Sequence, residues 1–449
     1  MVRVPKNCRP LMAVLLFLAT TGGCASHVDN LREIRGHFYG GDLAAASKAI
    51  DKYSVRSKKE RDVLELERAI VQLAQGKPHD AEQTLRQVRD RFDYLEQESL
   101  GEKAFSMVTD DTHTAYAGED YEKVLIRAML SLSNLMVDGT DSLAYAHQVM
   151  QKQQQIIGTS AEESSDDDNL ALAYKQVALG PYIQGMLREQ THNNYDDAAR
   201  AAAMVVSWQP DFQAGHDDLR RVQSGHHSAR GNGVLYVFTL VGRGPFKREV
   251  SQMPASASLL IADRILSHNM NQTLPPTIAP IRVPQVVRSV NEIQHVGVSV
   301  DGQSVGSTEI ITHVGKMAVE QYAAIYPRVV VRAVVRRAVK KAAVYTAKES
   351  LGVERGTFAS LAWDIGGVAW EATENADTRC WGLLPDSIQV MRIELPAGTH
   401  SVSLHGVASG YTTGAKETQT VQIAEGRNTY LLANFPEMRM VGQMLVAER

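Results

Sequence analysis

The sequence predicts an α+β multidomain protein, with helical hairpins in the first half and a β-sandwich-like domain carrying a long inserted helix in the second. Three observations carry that expectation. Apolar residues recur at three- and four-residue intervals from residue 27 to about residue 225. After residue 226 the text changes to short alternating runs rich in β-branched and aromatic residues, separated by turns containing glycine. Between those runs, residues 316–349 return to a helical pattern. At 449 residues, 44% of them hydrophobic, the chain is long enough for two or three cores, which excludes a disordered tail.

The first element, residues 1–23, reads as an export signal. Arg3, Lys6 and Arg9 precede an apolar run over residues 11–19, and Thr21-Gly22-Gly23-Cys24 closes it. A membrane span needs about 20 apolar residues, so the run is too short to cross a bilayer. The stretch resembles a bacterial lipoprotein signal, with Thr21 where leucine is usual. That resemblance implies that Cys24 carries a diacylglycerol and begins the mature chain; the plainer reading is an ordinary secretory signal with Cys24 incidental. Ala25-Ser26 after the cysteine, with no aspartate, further implies an outer-membrane anchor and a periplasm-facing body. Cys8 leaves with the signal, so only Cys380 keeps a free thiol, and neither an internal disulfide nor a cysteine metal cluster can form. Removing Arg3, Lys6 and Arg9 takes the formal net charge from -4 to -7, which gives no support for nucleic-acid binding.

The hairpin region is expected over residues 24–225. Two helices broken at Gly40-Gly41-Asp42 are followed by two broken at Gly76-Lys77-Pro78. Gly41 and Gly76 lie 35 positions apart, close to the roughly 34-residue period of tetratricopeptide repeats, and the small Ala44, Ala69 and Ala81 suit close helix crossings. A third hairpin turns at Asp138-Gly139. A fourth runs from Leu170, turns at Asn193-Asn194-Tyr195 and stops at Gln209-Pro210, where proline removes a helical donor. Residues 158–169 between them read as a solvated loop. Its acidic run lacks the alternating ligands and central glycine of a calcium loop. Stacked hairpins expose a groove that commonly holds a peptide or protein; a compact spacer is the alternative.

The second domain, residues 226–449, starts after the linker Ser224-Gly225-His226-His227-Ser228, read as flexible because no carboxylate or cysteine nearby completes a metal set with the two histidines. Residues 233–240 form a dense β-former run suited to a central strand. Gly242-Arg243-Gly244-Pro245 is a turn without the ending of a nucleotide loop, and the prolines of residues 279–284 suit an edge strand. Residues 296–300 with Asp301-Gly302 begin a hairpin. The last strands, over residues 388–395, 400–405, 417–423 and 429–432, alternate as a meander with a turn at Pro396-Ala397-Gly398-Thr399, and His400 and His405 read as solvent-side strand residues.

Inserted helices are expected over about 316–370. Arg328, Arg332, Arg336 and Lys340 recur every four residues and are expected to line one face, turned to water or internal ion pairs, or else to a protein or acidic lipid. The apolar residues 358–370 read as packing against that helix, with subunit contact as the sharper option. Asp377, Arg379, Cys380 and Trp381 form the most unusual stretch: Asp377 and Arg379 can pair, Trp381 can anchor, and no signature supplies a base to Cys380, so no catalytic residue is assigned. Arg328, Arg332, Arg336, Lys340, Asp377, Arg379 and Trp381 are the candidate partner contacts. No metal or cofactor is expected.

The tail Leu395-Pro396-Ala397-Gly398-Thr399-His400-Ser401-Val402, with Tyr411 and the strands over 421–430, looks like the small β-modules of bacterial envelope proteins that carry a proline-glutamate-glycine-alanine motif. The glutamate is missing here, so the likeness is one of architecture. The order of elements, with Tyr121-Glu122-Lys123-Val124-Leu125, the arginine helix and residues 376–385, is similar to an uncharacterised family of proteobacterial lipoproteins with no assigned enzyme activity. That resemblance implies a non-enzymatic envelope lipoprotein: a structural or scaffolding subunit that contacts envelope proteins or itself, or alternatively a regulator of a peptidoglycan synthase or hydrolase.

Overall fold

The computed structural model describes residues 27–101, 115–163, 176–270, 274, 280–350, 375–409, 411–412 and 414–449. Cys24 and residues 358–370 lie outside the described residues. A mostly helical N-terminal region precedes a β-rich C-terminal region with a long helix inserted between strands.

The helices are α1 (His27–Tyr39), α2 (Leu43–Arg56), α3 (Arg61–Ala74), α4 (Pro78–Gly101), α5 (Asp120–Leu135), α6 (Ser142–Glu163), α7 (Leu179–Glu189), α8 (Tyr195–Trp208) and α9 (Gln213–Gln223). Each packs on the next in sequence. The first three hairpins share one local device. Gly41, Gly76 and Gly139 close α1, α3 and α5 at φ of 81°, 79° and 69°, where a side chain would be strained. In the second hairpin the Gly76 N–H bonds Leu73 O at 3.0 Å and the Lys77 N–H bonds Gln72 O at 2.9 Å, satisfying carbonyls the helix leaves open. Asp42 then caps α2 by accepting from the Ala45 N–H at 2.9 Å. The fourth hairpin turns with His192, at φ 59°.

The strands are β1 (Asn232–Val241), β2 (Phe246–Gln252), β3 (Ile281–Val287), β4 (His295–Val300), β5 (Gln303–Ser307), β6 (Glu309–His313), β7 (Ser387–Pro396), β8 (Gly398–Ala408), β9 (Tyr411–Thr412), β10 (Glu417–Ile423), β11 (Asn428–Phe435) and β12 (Leu445–Glu448). Helix α10 (Ser256–Met270) falls between β2 and β3, and α11 (Val314–Ser350) follows β6. One sheet runs β12-β11-β1-β7-β6, with β1 parallel to β11 and antiparallel to β7. A second runs β10-β8-β4-β5 with β9 on β8, and β2 pairs with β3 alone.

Strand β1 is central, as its composition predicts, and it is buried on both faces. Val234, Tyr236, Phe238 and Leu240 join the core shared with the helices, whereas Leu235, Val237 and Val241 join the core between the two larger sheets. The helical core therefore continues across residue 225 onto the first sheet. A satellite core gathers Ala262 and Leu266 of α10, Ile281 and Val283 of β3, and Val330 and Val334 of α11.

Several expectations are corrected. Residues 158–163 are the end of α6 rather than a loop; α7 begins at Leu179, and Leu170 lies outside the described residues. Helix α9 and strand β2, which carry polar text, and helix α10, which is apolar, were not anticipated. Consecutive strands β7 and β8 do not form a hairpin: β7 belongs to the first sheet and β8 to the second, so Pro396-Ala397-Gly398 is a corner between sheets. Alternation marks a strand's two faces but not its neighbours. The His226-His227 linker is not free: His227 is buried, its Nε2 2.9 Å from Asn428 Oδ1 and its ring 4.9 Å from that of His192. His405 is also buried, lying over Gly297 of β4, where a Cβ would come within 2.4 Å of its ring. His400 pairs with Asp301 at 2.7 Å across the β4–β5 turn, a partner far away in sequence.

Candidate functional site

The polar interior concentrates where an extended segment, residues 376–386, crosses the helices. Four hairpins present their first helices toward the β-rich half. Arg35 of α1 reaches Gly244 O, Glu67 of α3 and Glu122 of α5 meet the segment, and Tyr182 of α7 packs edge-on against Tyr236 and Phe238. The face that a hairpin array ordinarily offers to a ligand is thus covered by this chain.

Two fully buried carboxyls hold the segment by its backbone. Glu67 accepts from the Gly382 N–H at 2.5 Å and the Leu383 N–H at 2.7 Å, one on each oxygen. Glu122 accepts from the Trp381 N–H at 2.7 Å, the Tyr116 hydroxyl at 2.5 Å and the Tyr121 hydroxyl at 3.2 Å. Extended backbone leaves its donors unpaired, and burying them without acceptors costs about 1–3 kcal/mol each, which is what these acids prevent. Burial pushes the Glu67 carboxyl up to about 8, against the pull of the two amides and of Arg35. Burial, with Glu119 beside it, also raises Glu122, against Lys247. Gly382 lies close against α1: a Cβ there would come within 2.6 Å of the Leu31 side chain, which would have to shift.

The segment's ends are pinned by charge. Asp377 and Arg379 pair with each other, as their spacing suggests, through Nε–Oδ1 at 2.9 Å and Nη2–Oδ2 at 2.7 Å, and Arg379 Nη1 donates to Lys59 O at 3.1 Å. Burial would raise Asp377, but the hydrogen bonds and charge of Arg379, with Lys247, hold it below its ordinary value. Lys247 in turn pairs with Glu119. At the far end Arg288 grips Asp386 at 2.9 and 2.7 Å, and Gly244 N donates to Leu384 O at 2.9 Å.

Trp381 is fully buried and Arg379 nearly so, which assigns both to internal packing rather than to an exposed contact. The arginine series does not hold one face: Arg328 and Arg332 are exposed, but Arg336 is buried. A four-residue step overshoots the helical turn by about 40°, so three steps swing the series by about 120°. The side chain of Lys340 lies outside the description. Cys380 is buried, and burial with Glu122 nearby pushes its thiol up to about 12, the opposite of an activated nucleophile. Among the described residues no group of three or more His, Cys, Asp or Glu could hold a metal ion, and no helix is long and apolar enough to cross a membrane.

Glu67 and Glu122 were not evident from motifs, yet each left a signal. Glu67 interrupts the stripe Val63, Ile70 and Ala74, and Glu122 sits beside Tyr121, Leu125 and Ile126. A lone acid on the apolar side of an amphipathic helix calls for a buried partner. Comparison of the chain with family models, curated proteins and solved structures finds no match.

Proposed function

We propose that this chain is an outer-membrane-anchored, periplasm-facing lipoprotein that serves as a structural or scaffolding subunit of an envelope assembly. The supporting observation is the use of the interior polar groups. Glu67, Glu122, Arg379 and Lys247 each join the helical half to the β-rich half, and Asp377 holds Arg379 in place. A body built this way offers its outer surfaces to envelope proteins or further copies of itself, and its inner helical face to its own segment. The helical half is a divergent tetratricopeptide-like array, a reading supported by the glycine caps Gly41 and Gly76, 35 positions apart. The two larger sheets, sharing one core, form a β-sandwich-like unit. The anchor is Cys24.

The test is crosslinking in cells followed by affinity capture of the full protein and of Cys24→Ala, read by mass spectrometry. Recovery of this chain with one envelope assembly, lost in Cys24→Ala, is expected. Recovery of a peptidoglycan synthase or hydrolase would replace scaffolding with regulation, and recovery of no specific partner would remove the scaffold reading.

A further inference from the structure

Beside the buried segment, a cleft of about 720 Å³ opens between α1 and the turns after β1 and β3. That volume suits an organic ligand rather than a bare ion. Leu31, Arg35 and Tyr39 line it as one stripe of α1, spaced by four residues; Arg243, Phe246 and Lys247 line the other side. Four cationic side chains border it against one carboxylate, Glu437.

Most of that charge is locally matched. Arg32 faces Asp29, Arg243 pairs with Glu437, and Lys247 pairs with Glu119. Arg35 is different. Among the described residues its hydrogen-bond partners are neutral, the Tyr39 hydroxyl at 3.2 Å and Gly244 O at 3.4 Å, and its guanidinium lies 5.3 Å from the Phe246 ring and 5.8 Å from the Tyr39 ring. Arg243 lies 4.7 Å from the same Tyr39 ring. A guanidinium carries five N–H donors in a planar fork, and stacking on rings fixes its plane while leaving edge donors for an oxyanion. Such a fork takes a phosphate through two parallel N–H···O bonds.

The available oxyanion follows from position. Helix α1 begins at His27, three residues beyond Cys24; at about 3.3 Å per extended residue and about 1.5 Å per helical residue, Arg35 lies no more than about 22 Å from an acyl anchor there, within reach of a bilayer surface. We propose that this cleft binds the phosphate of a phospholipid headgroup, with Arg35 as its principal ligand. The choice of a lipid source rests on reading Cys24 as acylated; the phosphate chemistry does not.

Isothermal titration of the full chain carrying Cys24→Ala, with dihexanoyl phosphatidylglycerol below its micelle concentration and separately with inorganic phosphate, tests this. Saturable lipid binding is expected, weakened tenfold or more by Arg35→Gln, the loss expected of a charge-assisted hydrogen bond. Gly36 also lines the cleft, and a Cβ there meets nothing within 4 Å, so Gly36→Trp, its folding checked by thermal melt, is expected to abolish binding even if Arg35→Gln perturbs packing. Binding of inorganic phosphate alone, lost in both variants, would overturn the lipid source. No saturable binding of either probe, or binding indifferent to both variants, would overturn the site. Acylation is read separately, from the mass of the N-terminal peptide of the unsubstituted protein, so a failed anchor and a failed cleft give different results.

Discussion

Replacing Glu67 with glutamine isolates the energetic consequence of burying an acid between two halves of a chain. The carboxyl rises from an ordinary value of 4.5 to about 8 in the fold, burial being the main cause. Folding therefore favours its protonated form. The stability it contributes is fully present below pH 4.5 and is lost as pH rises toward 8. Each unit of difference is worth about 1.4 kcal/mol, so the full interval amounts to about 5 kcal/mol and the part reached by pH 7 to about 3 kcal/mol. Glutamine is neutral throughout. Its amide nitrogen must face one of the Gly382 and Leu383 donors, a constant cost of about 1–3 kcal/mol. The Glu67→Gln protein is thus expected to be less stable than its parent near pH 4.5 and to overtake it between about pH 5 and 7, where the pH-dependent gain comes to exceed that constant cost. Urea titrations at half-unit steps from pH 4.5 to 8, with hydrogen exchange of the Gly382 and Leu383 amides as the local readout, measure it. A stability difference that stays flat across this range would refute the reasoning.

Trp381→Ala is expected to cost about 3–5 kcal/mol, visible as a large fall in Tm, whereas Trp381→Phe costs far less because its ring nitrogen has no hydrogen-bond partner among the described residues. His227, buried against Asn428, is held down to about 4, chiefly by burial, so its stabilising contribution is present above pH 6.5 and fades as pH falls toward 4; His227→Gln flattens that acid limb in thermal melts. Gly442 sits at φ 85° with a Cβ position 2.0 Å from Ala74 O, so Gly442→Ala loosens the C-terminal strand from the end of α3, read as earlier tryptic cleavage at Arg439. Cys380 is expected to resist a disulfide reagent at pH 8 in the native protein and to react fully once urea unfolds it; fast native labelling would contradict its burial.

The hairpins were legible because their information is local. A glycine at a left-handed position, a following proline or aspartate and an apolar stripe act within one turn of helix, and α1 to α5 appear close to where those residues put them. The central burial of β1 was legible for a related reason, since only a strand covered on both faces tolerates Val234 to Leu240 without polar relief. The pairing of Asp377 with Arg379 could also be read, being two residues apart. Pairing between distant strands could not: β1 lies parallel to β11 nearly two hundred residues later, and the short turn at Ala397 looked like a hairpin but is a sheet-to-sheet corner. The arginine series misled because a period of four drifts around a helix with 3.6 residues per turn.

By itself the sequence determined the division into a helical and a β-rich region, the caps and turns, and the expectation of an anchored, exported chain. Each depends on backbone preference or on apolar periodicity over a few residues. Only the tertiary structure decided that residues 376–386 fill the inner helical face, that Glu67 and Glu122 hold them, and that Arg35 stands in a cleft between two aromatic rings. Those outcomes depend on which distant groups share a low-dielectric space, because a buried charge or amide is costly until a particular partner reaches it.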